Sequence, residues 1–448
     1  MSQAPPGNVE RASSPAGGGP AEPRSASPLN ALSLRAIPLY STFFLWGFGT
    51  GAQQLARPLF ARSFGVDVFL VTLVAAANSA AHLVTAPTTG FLTDRFGRKP
   101  LVIVGNALRG VTTLLQYFAT SYWQFFLLEF IGAVGVSAWA TGASIVMADI
   151  TERENRGRAV AVRGLASRLG TMTGPFLGGV LATAFGLRSL FLFNAITKIP
   201  IHLITWHLVR ETRPEAARTS RGVEDLAVYR QPSGALLAPL RMQRGDLPDL
   251  SLLLRPAVLV LALATLCMSM TGAQGILGTL FPVYAQEKAG LNTADIGIMI
   301  SLAWVAGFLV SYPNGVVIDR WGRKKAFIPG LLVLAVAAYL LGRVTDHQGV
   351  LMMMLVYGLG EGMTHGSSEV YAMDLAPARG RGAFLGIWAT LRNIGGLVAP
   401  LFIGATAQFF DISTAFALVG VLLVLSGLLM ALFGQETRRA ESPVIGGH

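Results

Sequence analysis

The chain has 448 residues, of which 52% are hydrophobic and 13% charged, and its mean hydropathy is +0.54. Soluble domains carry about 25% charged residues, so this composition excludes an ordinary soluble enzyme, a disordered scaffold and a fibrous protein. It favours a polytopic membrane protein. The single cysteine, Cys267, excludes an intrachain disulfide and a cysteine-based metal cluster. The net charge of +11 indicates a nucleic-acid partner only if it is not explained by membrane topology.

Twelve stretches have the length and apolarity of membrane-spanning helices, which need roughly 20 residues. They follow a tail over 1–35 that is rich in Pro, Gly, Ser and Ala and has no cleavable signal pattern. The stretches lie at about 37–60, 67–92, 100–120, 123–149, 159–185, 189–209, 257–285, 294–318, 326–343, 349–373, 382–409 and 412–434. They predict two six-helix bundles, at 36–210 and 256–435, with a connector over 211–255 and a tail over 436–448.

The basic residues set the expected orientation. With the N-terminus in the cytoplasm, most of the 35 Lys and Arg residues fall in cytoplasmic segments, as the positive-inside rule requires. The opposite side keeps only a few basic residues: Arg57, Arg62, Arg188, Lys288 and Arg343. The excess charge is therefore a topology signal, and we expect both termini in the cytoplasm and no nucleic-acid partner.

The two halves repeat at a single offset of 225 residues. The run Gly90, Asp94, Arg95, Gly97, Arg98 and Lys99 recurs as Gly315, Asp319, Arg320, Gly322, Arg323 and Lys324. Asp149 recurs as Asp374, and Glu211-Thr212-Arg213 recurs as Glu436-Thr437-Arg438. Because each half contains an even number of spans, both halves enter the membrane in the same orientation. Parallel repeats with a site between them are one transporter design.

The loop Gly90-Phe91-Leu92-Thr93-Asp94-Arg95-Phe96-Gly97-Arg98-Lys99-Pro100 resembles the signature loop between helices 2 and 3 of the major facilitator superfamily, and 314–325 is its second copy. The resemblance covers roughly 37–436. It implies an all-α membrane fold of twelve helices in two pseudo-symmetric bundles.

The same resemblance assigns a gating role to the loop charges. It implies that Asp94, Arg95 and Arg98 join Asp149 and Arg156 in a network that holds the halves together in the outward-facing state. Asp319, Arg323 and Asp374 would form a second latch. The alternative is that these charges only set topology, although a bare topology signal would not require the acid or the glycines.

The fifth span contains Gly170, Gly174, Pro175, Gly178 and Gly179 in a pattern that allows close helix packing and a bend at the proline. This run resembles the helix-5 motif of the proton-coupled drug antiporters, where it is thought to prevent leakage through the closed pathway. Plain helix packing in a transporter of another mode is the alternative.

Ionisable groups at membrane depth are functional candidates by default. The predicted spans contain three acids, of which Glu361 and Glu369 lie in span ten and Glu129 in span four. Glu361 lies near the midplane, and His365 and Glu369 follow at intervals of one turn on the same face. This stripe is the candidate proton relay, with Glu129 as a further candidate. A structural ion pair is the alternative for each acid.

Basic and polar residues inside the spans are the candidate substrate ligands. Arg168 and Arg392 lie at similar depth in spans five and eleven, where they either bind an anionic substrate or neutralise the glutamates. Arg109 is a possible partner of Glu129. Three further polar residues are expected to face the cavity, namely Gln274, His82 and Asn78. For His82 and Asn78, a packing role is the alternative.

These features predict a secondary transporter that works by alternating access and exports small amphipathic organic compounds in exchange for protons. The alternative is a proton symporter or an exchanger of an organic anion or sugar-like solute. No cluster of interfacial His, Asp or Cys predicts an enzyme, and neither a cofactor nor a metal is expected. The expected setting is a bacterial plasma membrane, where the chain acts as a monomer with the substrate, protons and the lipid bilayer as its partners.

Overall fold

The computed structural model describes residues 37–150, 156–208, 254–377 and 381–437. The described residues are almost entirely helical. Their helices are α1 (Ile37–Arg62), α2 (Val68–Phe96), α3 (Arg98–Tyr117), α4 (Tyr122–Ile150), α5 (Arg156–Phe185), α6 (Ser189–Leu208), α7 (Pro256–Ser269), α8 (Leu280–Glu287), α9 (Thr293–Trp321), α10 (Arg323–Leu341), α11 (His347–Leu375), α12 (Arg381–Phe409) and α13 (Ile412–Phe433). The predicted all-α fold is confirmed. Among the described helices, six are long and apolar enough to cross a membrane by length and composition alone.

The seventh predicted span differs from the prediction because it is not one helix. It is divided into α7 and α8 by an irregular segment over 270–279. Three glycines at 272, 275 and 278 weaken the helix here. The N–H groups of Ile276 and Leu277 donate to the carbonyls of Met270 and Thr271, at 2.7 and 3.1 Å, six residues back in the chain. The break leaves backbone polar groups of this segment available to neighbouring helices.

The internal repeat is visible in the packing of the two halves. In the first half α1 packs against α5 and α6, and α3 packs against α4 and α6. In the second half α7 packs against α12 and α13, and α10 packs against α11 and α13. The loop glycines Gly97 and Gly322 occupy equivalent turns with positive φ angles of 94° and 106°, which only glycine adopts readily.

The main interfaces between the halves are α5 against α9 and α2 against α12, and α1 also contacts α8. They are tight at the end of the molecule where α1 ends and α9 begins, here called the Arg62 face. At this face the N–H of Phe176 donates to Ser301 Oγ at 2.8 Å, and Arg62 Nε lies 2.6 Å from Glu287 Oε1. The opposite end, where α9 ends and α10 begins, is called the Arg323 face. Arg62 and Glu287 are separated by the repeat offset of 225 residues, so equivalent positions of the two halves contact each other.

The glycine run of α5 serves two different interfaces. A Cβ added at Gly174 would lie 2.5 Å from the carbonyl oxygen of Phe48 in α1, and additions at Gly170 and Gly178 also meet α1 backbone. A Cβ at Gly179 would instead lie 2.7 Å from the carbonyl oxygen of Thr293, at the start of α9 in the other half. The run therefore packs the first half internally and also closes the Arg62 face.

We expect Gly174→Val to destabilise the protein by about 1–3 kcal/mol or more, because the new side chain must displace α1 backbone. The measurement is thermal unfolding of the purified protein in detergent. Gly164→Val, in the same helix, is the matched control because a Cβ there meets no atom of the described residues within 4 Å. Equal unfolding temperatures for the two variants would contradict the close-packing role.

Candidate functional site

A cavity of about 500 Å³ lies between the halves. The second half supplies most of its walls, from α7, the break, α9, α11 and α12, while the first half contributes residues of α2 and α5. Aromatic and methionine side chains give the cavity an apolar surface. Those side chains are Met172, Met268, Trp304, Phe308, Tyr357 and Trp388. A mostly apolar cavity with a few polar groups is typical of sites for small organic ligands.

Glu361 lies in the middle of α11 and contacts the break between α7 and α8. Its Oε2 accepts a hydrogen bond from Thr271 Oγ1 at 3.2 Å. The Thr271 carbonyl in turn accepts a hydrogen bond from Tyr357 OH at 2.6 Å. Glu361 makes no ion pair with any residue that the structure describes. A half-buried carboxyl group without a counterion is suited to alternate between protonated and charged forms.

The other two residues of the predicted stripe also line this cavity, nearer the Arg323 face. His365 is exposed to the cavity, one turn from Glu361. Glu369 Oε1 is ion-paired with Arg392 Nη1 of α12. This ion pair corresponds to one of the two roles predicted for Arg392, and both roles stay predictions.

Arg168 differs from Arg392 because it has no carboxylate partner among the described residues. Its exposed side chain lines the cavity, opposite the wall formed by the second half. Gln274, in the break, and His82, in α2, also line the cavity. The predicted cavity positions of these three residues agree with the geometry.

Glu129, Arg109 and Asn78 do not reach this cavity, contrary to the expectation for span four. The Glu129 side chain is fully buried, and its oxygens lie 3.1 Å from Arg109 Nη1 and 3.1 Å from Asn78 Nδ2. Gln116 Nε2 donates to the same carboxylate at 2.8 Å. Arg109 and Asn78 are thus occupied by Glu129 rather than available to a substrate, and Glu129 is surrounded by charge-compensating groups.

Arg57 is a further member of this cluster, although its position near the end of the first predicted span predicts a place at the membrane surface. Its Nε lies 3.0 Å from Glu129 Oε1. Gln53 lies one turn before Arg57 in α1, and its Oε1 accepts a hydrogen bond from Arg109 Nη2 at 2.8 Å. The one-turn spacing of these two polar residues was the signal in the sequence that they share one cluster. A surface assignment failed because α1 extends to Arg62 and thereby keeps Arg57 inside the bundle.

The charges of the second repeated loop are brought together at the Arg323 face. Arg323 Nε lies 2.7 Å from Asp374 Oδ2, and Arg323 Nη1 lies 3.9 Å from Asp319 Oδ1. The Arg323 N–H also donates to Glu436 Oε1 at 2.8 Å. All these residues belong to the second half, so in this conformation they connect helices of one half.

The first copy of this network is only partly visible. Arg98 is the first residue of α3. The side chains of the other residues predicted for the first latch lie outside the described part of the chain, namely Asp94, Arg95, Asp149 and Arg156.

The family model of the Major Facilitator Superfamily matches residues 39–312 and 290–447. The chain belongs to the Major Facilitator Superfamily. This confirms the family and the twelve-helix fold that the doubled loop predicted, and the members of this superfamily are membrane carriers.

Relatives within the superfamily include drug-resistance proteins. The chain is 24% identical over 397 residues to the class H tetracycline resistance protein of Pasteurella multocida, covering 87% of this chain and 93% of the relative. It is 24% identical over 403 residues to the multidrug resistance protein MdtG of Escherichia coli O9:H4 (strain HS), covering 86% of this chain and 90% of the relative.

Solved structures share the fold at lower identity. A D-xylose–proton symporter superposes with a TM-score of 0.70 at 18% identity, over 90% of this chain and 98% of its own. The human organic anion transporter MFSD10 superposes with a TM-score of 0.60 at 19% identity, over 90% of this chain and all of its own (100%). At these identities the likeness establishes the Major Facilitator Superfamily fold alone.

Proposed function

We propose that this Major Facilitator Superfamily protein exports small amphipathic organic compounds in exchange for protons. The observation that carries the proposal is the cavity itself. It places the carboxyl group of Glu361, which has no ion-pair partner among the described residues, in an apolar binding space between the two halves. The drug-resistance names of its relatives support export as the direction and drug-like compounds as the substrate class.

The proposed orientation has the Arg323 face and both termini in the cytoplasm, because the basic residues concentrate there. With that orientation, the contacts at the Arg62 face close the outer side. His365, Glu369 and Arg392 then line the part of the cavity nearer the cytoplasm. The conformation is the inward-facing state of an alternating-access cycle.

In the proposed cycle a substrate enters from the cytoplasm while Glu361 loses its proton to that side. The halves then separate at the Arg62 face, where a proton returns to Glu361 and the substrate leaves. Proton and substrate therefore occupy the cavity alternately, which is the requirement for antiport. In the outward-facing state Asp94, Arg98 and Asp149, with Asp319, Arg323 and Asp374, hold the cytoplasmic ends together.

Everted membrane vesicles test this function. Vesicles from cells that express the chain are acidified inside by respiration, and tetracycline or a lipophilic cation is added. We expect the compound to accumulate and the pH gradient to fall when it is added, relative to vesicles without the protein. Accumulation that is insensitive to dissipation of the gradient would contradict proton exchange.

A second candidate substrate class, an organic anion, is favoured by one observation. Arg168 is a cavity guanidinium without a carboxylate partner among the described residues. A hydrogen bond to a charged group is worth about 1.5–3 kcal/mol, or roughly 10- to 100-fold in binding. The same superfamily fold is found in a human organic anion transporter, although that likeness concerns the fold alone.

We therefore expect Arg168→Gln to reduce transport of anionic amphiphiles at least about tenfold and to change transport of neutral ones much less. Arg392→Gln is the matched variant, since its guanidinium is already engaged by Glu369. The measurement is the initial rate of uptake into the everted vesicles. It compares an anionic carboxylic acid with the neutral amide of the same compound. Equal losses for both compounds would rule out anion recognition by Arg168.

A further inference from the structure

The buried cluster in the first half carries an excess positive charge. Arg57 and Arg109 both contact Glu129, which is the one acid that contacts either guanidinium group among the described residues. Two guanidinium groups against one carboxylate leave a formal charge of about +1, because arginine remains protonated in proteins. Burying a charge without compensation is costly. The Arg57 side chain is 18% exposed, and a further negative group beside it would offset the excess charge.

A small void of about 20 Å³ lies directly beside Arg57. Gln54, Arg57 and Pro58 of α1 and residues of α2 form one side of the void. The irregular segment between α7 and α8 forms the other side, through residues that include Gln274 and Thr279. A void of this volume holds one water molecule or one small ion. Its walls come from both halves of the protein.

Two side chains beside the void carry hydrogen-bond donors that lack a partner among the described residues. Gln54 is 7% exposed, and its Nε2 has no hydrogen-bond partner in the part of the chain that the structure describes. Arg57 Nε lies close to Glu129 but forms no directed hydrogen bond. Leu280 begins α8 immediately after Thr279, so the positive end of that helix dipole also lies beside the void. Unpaired donors and a helix N-terminus together favour an anion.

We propose that this void is a binding site for a small monovalent anion, such as chloride. The anion accepts hydrogen bonds from Gln54 and Arg57 and neutralises the excess charge of the Arg57–Arg109–Glu129 cluster. Because the walls of the void come from α1, α2 and the α7–α8 break, the anion also lies between the two halves beneath the Arg62 face. Its binding stabilises the conformation that is closed at that face, since separating the halves divides the site.

Thermal unfolding of the purified full-length protein tests the proposal. The protein is compared in sodium chloride and in sodium gluconate at equal ionic strength, over a range of chloride concentrations. A ligand that binds only the folded protein raises its stability in a saturable manner, and we expect chloride to raise Tm by a few degrees. Equal Tm values in both salts would overturn the proposal.

Two variants at one position separate an anion site from a general salt effect. Gln54→Glu supplies a carboxylate of its own, so we expect the protein to remain stable and to lose its response to chloride. Gln54→Leu removes a donor, so the chloride concentration for half the effect rises. Gln408→Leu, on an exposed position of α12, is the matched control and retains the full response. The same response in all three variants would refute a specific site.

Bromide provides a direct readout that does not depend on any variant. Crystals grown in sodium bromide are expected to show an anomalous-scattering peak between Gln54, Arg57 and Gln274. An ordered protein with density for a water molecule, and without an anomalous peak at this position, would exclude the anion.

Discussion

Replacing Glu361 with glutamine is expected to abolish substrate-driven proton movement, reducing it at least tenfold in proteoliposomes. The amide keeps the size of the side chain and still accepts a hydrogen bond from Thr271, but it cannot bind and release a proton. Exchange of labelled for unlabelled substrate requires no net proton movement, so we expect that exchange to continue in the variant. The measurement is the pH change inside the liposomes when substrate is added.

Glu369→Gln is the matched control for this prediction, because the same substitution is made two turns along the same helix. The Glu369 carboxylate is held by Arg392, so its loss is expected to affect substrate binding more than proton movement. If Glu369→Gln rather than Glu361→Gln abolishes the proton flux, Glu369 is the proton carrier. Unchanged flux in both variants would refute the relay on α11.

Reversing the charge of Arg62 is expected to open the Arg62 face in a larger fraction of molecules. An exposed ion pair contributes about 0.2–1 kcal/mol, and Arg62→Glu replaces this attraction to Glu287 with repulsion. Together, the lost attraction and the added repulsion raise the ratio of molecules open at the Arg62 face to molecules closed there by up to roughly tenfold. The measurement is the distance between spin labels at Phe185 and Phe410, two exposed residues at this face, in a Cys267→Ser background.

Charge exchange is the control for the outer contact. The double variant Arg62→Glu with Glu287→Arg restores attraction between the halves, so its label distances should return to those of the original protein. The single variant Glu287→Arg should resemble Arg62→Glu. A double variant that remains as open as the single variants would show that this pair does not control the closure.

The helices were largely predictable because a membrane helix is specified by local sequence. Hydropathy over about 20 residues identifies a span whatever its neighbours are, since the lipid around it is uniform. Prediction failed at 257–285, where the apolar composition continues but the helix does not. Gly272, Gly275 and Gly278 made a break possible, and contacts with α11 stabilise it through Thr271, Tyr357 and Glu361.

Several members of the candidate site were predictable, but their pairings were not. A charged residue inside a span is visible in the sequence, so Glu361, Arg168 and Arg392 were identified as candidates. Which arginine pairs with which glutamate depends on how far α5 and α12 rotate and tilt against α11. Only the assembled bundle shows that Arg392 binds Glu369 whereas Arg168 lacks a carboxylate partner among the described residues.

The low content of charged residues, the twelve spans, the repeat at 225 residues and the doubled loop were sufficient for the fold and the superfamily. They are local or periodic properties, which do not depend on how distant helices meet. The tertiary structure decided that Glu129 is enclosed by Arg57 and Arg109, that Glu361 lies against a broken helix, and that the glycines of α5 serve two interfaces. Each of these features depends on distances between side chains of different helices, and such distances are set by packing across the whole bundle.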